Sequence, residues 1–171
     1  MRSATLLAVL ALSLSGQYES DYRRLMTHPL AMPVQGIPPG DIQDTFSDAR
    51  SGGRAHQATD IPAPRGTPVL AMDDGVVRKL FTSVKGGLTI YEFDSTESYC
   101  YYYAHLDRYA GGLKENQPLR HGEVIGFVGA TGDAAQEAPH LHLEITRIGA
   151  DKKWWGGVPI DPYPLLMRID R

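Results

Sequence analysis

The sequence predicts an all-β protein, built mainly from antiparallel sheet and with few or no helices. Short runs rich in β-branched and aromatic residues recur from residue 41 onward: TPVLAM, GVVRKLF, LTIYEF, SYCYYYAHL, EVIGFVG and HLHLEIT. Glycine pairs or clusters punctuate these runs, at Gly86-Gly87, Gly111-Gly112 and Gly129 to Gly132. No long stretch shows the periodicity of an amphipathic helix.

Two of these elements have a predictable context. LTIYEF and SYCYYYAHL are separated by the mostly polar DSTES, which predicts a β-hairpin. Near the C-terminus, WWGGVPIDPYPLL predicts an irregular cap that packs two tryptophans onto the sheet.

The chain divides into three predicted parts. Residues 1–16 combine Met1 and Arg2 with an apolar run and then small residues, which predicts a secretory signal peptide and export. Residues 17–40 hold closely spaced prolines and glycines, which predict a linker or short pro-segment without a continuous helix. We expect residues 41–171 to form a single domain with its C-terminal cap.

Composition excludes several classes of function. The chain has 17 Lys and Arg against 20 Asp and Glu, a net charge of -3, and no basic block, so nucleic acid is not an expected partner. No apolar run approaches the roughly 20 residues of a membrane span. The single cysteine, Cys100, has no partner for an internal disulfide, so we expect a small buried apolar residue there.

The run HLHLE places two histidines and a glutamate at alternate positions. Because side chains alternate between the faces of a strand, His140, His142 and Glu144 share one face. We expect Leu141 and Leu143 to face the core. Alternate positions on one face lie about 6 to 7 Å apart. That spacing suits two ligands of one metal, or one ligand and one neighbour that touches whatever the metal binds.

Two further patterns contain histidines. GRAHQATD holds His56 and Asp60 between glycines and IPAPRG, which favours a loop running into a strand. YYYAHL places His105 at the end of a strand, and alternation predicts it on the face of Tyr101 and Tyr103. Taken alone, the first pattern is weak, and the second is better read as a histidine hydrogen-bonded in an aromatic wall.

The combination is more informative than its parts. Two neutral imidazoles and one carboxylate form a set that zinc accepts readily, with a fourth position left for water. Hydrolysis also needs a proton acceptor and a group that stabilises the oxyanion, and further histidines beside the metal would supply both.

These motifs resemble one family. GRAHQATDI, PAPRGTPV, LAMDDGVV, YYYAHL, GEVIGFVGATG and PHLHLEI occur in the order found in the lysostaphin-type zinc endopeptidases, also called LytM-like peptidases, over roughly residues 44–148. The resemblance implies a compact fold of two packed sheets with an open groove. It implies that His56, Asp60 and His142 bind one zinc ion per chain, and that His105 and His140 are catalytic without binding the metal.

The resulting hypothesis is an exported, monomeric zinc metalloendopeptidase that cleaves cross-links or stems in bacterial peptidoglycan, with a D-amino-acid cross-link preferred over a glycine bridge. One alternative is a non-catalytic zinc-binding module that activates another wall hydrolase. A second is a phosphocarrier domain with paired histidines, against which the predicted export and Asp60 both count.

Four residues keep open interpretations. His28 is a disordered linker residue in the preferred reading, and a ligand that blocks the metal in a latent form in the other. Glu144 either supports the metal ligands or is exposed. Arg54 either orients a carboxylate or substrate or is structural, and Tyr103 lines the groove or supports His105.

Overall fold

The computed structural model describes residues 16–50 and 53–169. The predicted signal peptide therefore lies outside the described residues, except for Gly16. Helix α1 covers residues 16–27, a short 3-10 helix covers Pro39–Asp41, and α2 covers Tyr163–Leu166. None of the helices in the described ranges has the length and apolar character needed to cross a membrane.

Eleven strands lie in the described residues. They are β1 (Ala49–Arg50), β2 (Arg54–Ala55), β3 (Thr59–Pro62), β4 (Pro68–Leu70), β5 (Gly75–Ser83), β6 (Gly87–Asp94), β7 (Tyr99–Tyr109), β8 (Pro118–Leu119), β9 (Val124–Val128), β10 (His140–Arg147) and β11 (Val158–Ile160). Every pairing between them is antiparallel, and β6 and β7 form the predicted hairpin. The all-β prediction is confirmed.

The two layers implied by the resemblance are joined through β7. Strands β1 and β2 form a separate ribbon, while the other nine strands form one connected sheet. Along one edge of β7, residues 99–104 pair with β10 and residues 106–109 pair with β9. The sheet therefore branches at β7, and the β9–β4 branch and the β10 branch contribute to the same hydrophobic core.

Strand β10 follows the predicted alternation. Leu141, Leu143 and Ile145 are fully buried, whereas His140, His142 and Glu144 are only partly buried. Burial of each such aliphatic side chain is worth about 1.5 to 3 kcal/mol. The core therefore fixes the strand from one side and holds the histidines on the other.

Strand β7 departs from simple alternation at His105. Three residues of β6, from Leu88 to Ile90, lie opposite four residues of β7, from Leu106 back to Tyr103. His105 has φ of 60°, a left-handed conformation that is uncommon outside glycine. This is a β-bulge, which re-aims the side chain of the extra residue.

The segment before the domain packs on the sheet. Leu25, Leu30 and Val34 are buried in the main core cluster. The Ala31 N–H donates to the Met72 carbonyl at 2.9 Å, and the Leu70 N–H donates to the Pro33 carbonyl at 2.9 Å. The domain boundary at residue 41 stays a prediction, but this packing differs from that of an exposed linker.

Candidate active site

An open groove lies on the face of the sheet opposite the core, with a volume of about 580 Å³. Its floor comes from β7 and β10, and its walls come from the β1–β2 ribbon, the β5–β6 turn and the loop 133–138. All five residues that the sequence predicts for the site line this groove: His56, Asp60, His105, His140 and His142.

His56, Asp60 and His142 converge. His56 Nε2 lies 3.0 Å from His142 Nδ1 and 3.1 Å from Asp60 Oδ1, and His142 Nδ1 lies 3.0 Å from Asp60 Oδ1. Zinc with bonds of about 2.0 to 2.1 Å in tetrahedral geometry requires donor atoms roughly 3.3 Å apart. The three donor atoms thus form a triangle of nearly the size that a zinc ion needs.

Adjacent strands and a loop hold this triangle. β3 and β10 pair with His142 directly opposite Asp60, so two donors come from one register position. The His56 Nδ1–H donates to the Thr45 carbonyl at 2.9 Å, which leaves Nε2 as the free lone pair. The His142 Nε2–H donates to Glu144 at 3.3 Å, which leaves Nδ1 for the site. Glu144 thus contacts a donor histidine, in the way that outer carboxylates orient metal-bound histidines.

Electrostatics favour positive charge at this position. Burial would raise the pKa of Asp60, but hydrogen bonds with His142 and His56 hold that pKa well below its usual range. Burial disfavours a charged imidazole, yet hydrogen bonds to Asp60 and Glu144 raise the pKa of His142 to about 9, so a metal ion that binds Nδ1 must displace a proton from that nitrogen. The carboxylate is therefore ionised, and the triangle attracts a cation.

His105 and His140 form a second pair beside the triangle, with ring centroids 4.9 Å apart. The His105 Nδ1–H donates to the Thr131 carbonyl at 2.8 Å, and the His140 Nδ1–H donates to the Ala138 carbonyl at 2.9 Å. Because both Nδ1 atoms are used, each ring keeps Nε2 as its free nitrogen. Burial lowers the pKa of His105, which keeps that ring neutral at pH 7.

Arg50 belongs to the site but carries no sequence signal. Its Nη2 lies 2.7 Å from His56 Nε2 and 2.5 Å from Asp60 Oδ2. Arg50 comes six residues before His56 and lies on β1, whereas His56 directly follows β2. The pairing of β1 with β2 brings Arg50 to the donor atoms. A spacing rule based on the histidine motif therefore misses it.

Two predictions about neighbouring residues are wrong. Tyr103 does not share a face with His105, because the bulge reverses the alternation; its ring is fully buried and its hydroxyl donates to Glu92 at 2.6 Å. His28 is neither a disordered residue nor close to the triangle, since its Nε2 lies 2.8 Å from Asp73 Oδ2, outside the residues that line the groove.

The structure also places Cys100 and Arg54, for which the sequence made predictions. Cys100 is buried, as predicted. Arg54 lies exposed on β2 and lines the groove, so it faces the space that a substrate would enter.

An antiparallel β fold with an open groove, into which two histidines and an aspartate converge, is the arrangement that the lysostaphin-type resemblance implied. Residues 54–162 match the model of peptidase family M23, and the chain belongs to this family.

Similar proteins support the same classification. The L-Ala–D-Glu endopeptidase of Bacillus subtilis (strain 168) is 36% identical over 136 residues, which cover 75% of this chain and 40% of that protein. The peptidoglycan DD-endopeptidase ShyC of Vibrio cholerae is 36% identical over 99 residues, which cover 58% of this chain and 22% of that protein. This chain thus spans less than half the length of these curated relatives.

A solved structure extends the similarity to the fold. The catalytic domain of the antimicrobial peptidase lysostaphin from Staphylococcus simulans matches with a TM-score of 0.58 at 26% identity, over 84% of this chain and 96% of that chain. The resemblance to the lysostaphin-type peptidases is confirmed.

Proposed function

We propose that this chain is an exported, zinc-dependent endopeptidase that hydrolyses peptide bonds in bacterial peptidoglycan. The observation that carries the proposal is the triangle of His56 Nε2, Asp60 Oδ1 and His142 Nδ1, with edges of 3.0 to 3.1 Å, beside two further histidines. Two relatives are named as endopeptidases, one of them for peptidoglycan, which supports this substrate.

The donor chemistry fits zinc. Two imidazole nitrogens and one carboxylate oxygen form a common catalytic zinc set, with a further position left open to water. Zinc bound by His56, Asp60 and His142 supplies Lewis-acid polarisation of the scissile carbonyl and acidifies the attacking water.

The remaining histidines move protons and stabilise charge. His105 and His140 each direct Nε2 as the free nitrogen, because each Nδ1–H is bound to a main-chain carbonyl. One of them accepts the proton of the water and passes it to the leaving amine, and the other donates a hydrogen bond to the oxyanion. The neutral state of His105 at pH 7 suits it to accept a proton.

Arg50 contributes a fixed positive charge at the rim. Zinc held by His56 and Asp60 would compete with the Arg50 guanidinium, which contacts both of these residues. Arg50 would then be free to contact substrate.

The test compares zinc content and hydrolysis. The chain from Gln17 onward is purified, its zinc is measured by mass spectrometry, and new amino termini are counted after incubation with peptidoglycan of defined cross-link chemistry. We expect His142→Ala to lose zinc and activity, and His105→Ala to keep zinc but lose about 10²- to 10⁴-fold in rate. The exposed His121, which lies outside the groove, supplies the matched control His121→Ala.

Two outcomes would contradict the assignments. Unchanged zinc affinity in His142→Ala would refute the ligand set, and a normal rate in His105→Ala would refute its catalytic role. A chain that binds zinc but releases no amino termini from any wall type would favour the regulatory alternative. Mass spectrometry of the released muropeptides identifies the bond, whether stem, D-amino-acid cross-link or glycine bridge.

A further inference from the structure

Aromatic side chains continue from the groove across the outer face of the sheet. Tyr102 lines the groove, and its ring centroid lies 6.0 Å from that of His142. From Tyr102, successive centroid distances are 4.6 Å to Tyr91, 4.7 Å to Trp154 and 4.8 Å to Trp155. We call these four side chains, together with Phe81, whose ring lies 5.4 Å from Trp154, the aromatic platform.

Strand register places the platform on the groove side of the sheet. Tyr91 pairs with Tyr102 across β6 and β7, and Tyr102 pairs with Glu144 on β10. Because paired residues project to the same face, the tyrosines share the face of Glu144 and His142. The platform is therefore continuous with the candidate active site.

Part of the platform has a structural role. Tyr91 and Trp154 pack against a small cluster of buried side chains, Phe93, Cys100 and Ile148, and help to cover it. Core packing thus accounts for Trp154.

Core packing does not account for the outer members. Trp155 is 54% exposed and Phe81 is 40% exposed, and the exposed Val84 follows Phe81 along the same hairpin. Exposed large apolar side chains that form one patch mark interaction sites more often than isolated ones do. The ammonium of Lys153 lies over the Trp155 ring, 5.7 Å from its centroid, and is ion-paired with Asp151 at 2.9 Å, so polar groups adjoin the exposed ring.

The chemistry of this patch fits a sugar. A pyranose ring presents C–H groups on its faces and hydroxyl or acetamido groups at its edge. The aromatic faces match the former, and a bordering polar group matches the latter. A neutral chain of N-acetylated hexoses meets both requirements.

We propose that the aromatic platform binds the glycan strand of peptidoglycan while the attached peptide lies in the groove. This inference rests on the proposed function. In peptidoglycan every stem peptide is joined to a sugar, so a sugar lies within a few residues of each scissile bond. From His142 to Trp155 the path crosses four ring-to-ring distances, each of 4.6 to 6.0 Å. A peptide of roughly six extended residues spans this whole path.

The chain carries its own probe for this test. Its two tryptophans, Trp154 and Trp155, both belong to the platform, so tryptophan fluorescence, excited outside the absorption band of tyrosine, reports on this surface. Titration of the purified chain with glycan strands stripped of peptide should give a saturable change in fluorescence. Trp155→Ala should weaken binding roughly 3- to 10-fold, and Trp155→Phe should retain most of it. Tyr18→Ala, which removes an exposed ring from α1, is the matched control and should bind normally.

Hydrolysis separates positioning from catalysis. On intact peptidoglycan, Trp155→Ala should raise KM and leave kcat unchanged, whereas on a sugar-free stem peptide the variant and the wild type should behave alike. His142→Ala should abolish cleavage but keep glycan binding, because the platform needs no metal.

Three results decide the matter. Cleavage of peptidoglycan without any saturable glycan binding overturns this inference and leaves the proposed function intact. Glycan binding without cleavage supports the platform and refutes the proposed function. A molecular mass that rises with protein concentration in wild type but not in Trp155→Ala assigns the patch to self-association and overturns the inference.

Discussion

At the scale of single residues, the role of each histidine depends on which of its ring nitrogens is hydrogen-bonded outside the site. His56, His105 and His140 each donate Nδ1–H to a main-chain carbonyl, which leaves Nε2 as the nitrogen for other partners. His142 is the exception, since its Nε2 contacts Glu144 and its Nδ1 faces Asp60. Two histidines two residues apart on β10 therefore differ in which nitrogen is available.

The sequence predicts which residues meet but not how each ring is held. The resemblance to the lysostaphin-type peptidases identified the five residues that line one groove, and strand alternation alone placed only His140 and His142 on a shared face. The carbonyls of Thr45, Thr131 and Ala138 carry no side-chain signal, and only the folded loops bring them to the imidazoles. Arg50 could not be predicted as a site residue for the same reason, because its position depends on the pairing of β1 with β2.

Removal of the Arg50 guanidinium should strengthen metal binding. The guanidinium hydrogen-bonds to His56 and Asp60, so it competes with a metal ion for these two residues. Because a hydrogen bond to a charged group is worth about 1.5 to 3 kcal/mol, Arg50→Ala should bind zinc roughly tenfold or more tightly. Competition with a chromophoric chelator measures the affinity. Arg54→Ala, on the same ribbon, should leave it unchanged, and equal affinities for wild type and Arg50→Ala would contradict the expectation.

At the scale of elements, one bulge gives β7 two functions. Tyr101 and Tyr103 face the core, Tyr102 and Ala104 face the groove, and His105 then joins the groove side. The sequence predicted the strand and its alternation, but no glycine or proline marks the bulge. The left-handed backbone at His105 is stabilised by its N–H, which donates to the Gly86 carbonyl at 2.8 Å.

Gly132 should be indispensable to the loop that holds His105. It has φ of 79°, and a methyl group there would overlap the backbone of Lys85, Gly86 and Gly87 at the β5–β6 turn. The adjacent Thr131 carbonyl accepts the His105 Nδ1–H, so any shift of the loop also turns that ring. Gly132→Ala should cost about 2 to 4 kcal/mol in the free energy of unfolding and lower kcat with zinc content unchanged.

A second glycine separates the free-energy cost of a left-handed backbone from the cost of the steric overlap. Gly122 has a similar φ of 77°, but a methyl group there meets nothing within 4 Å. Gly122→Ala should therefore cost only about 1 kcal/mol and leave kcat unaltered. Denaturant unfolding measures both variants, and equal losses of stability would show that packing against the β5–β6 turn is unimportant.

At the scale of the whole molecule, the segment 16–42 is part of the packing around the sheet. Its prolines and glycines predicted a segment without a continuous helix over residues 17–40, and this is wrong for its first part, because residues 16–27 form α1 ahead of the first proline. Its apolar residues are spaced irregularly, so no strand or helix period revealed that they would be buried. Polar contacts add to the attachment, including Arg147 Nε to Asp21 at 2.7 Å and the Tyr99 hydroxyl to Asp21 at 3.2 Å.

Deletion of residues 17–40 tests whether this segment stabilises the domain or inhibits it. None of the described residues before Arg50 lines the groove, and Leu25 and Val34 are at most 2% exposed. Each is worth about 1.5 to 3 kcal/mol on burial, so the deletion should lower the free energy of unfolding by several kcal/mol without raising hydrolysis. Val34→Ala should reproduce part of this loss, on the order of 2 kcal/mol, while the exposed neighbour Gln35→Ala should not. A deletion variant that keeps its stability and cleaves peptidoglycan faster would instead show that the segment is an inhibitory pro-segment.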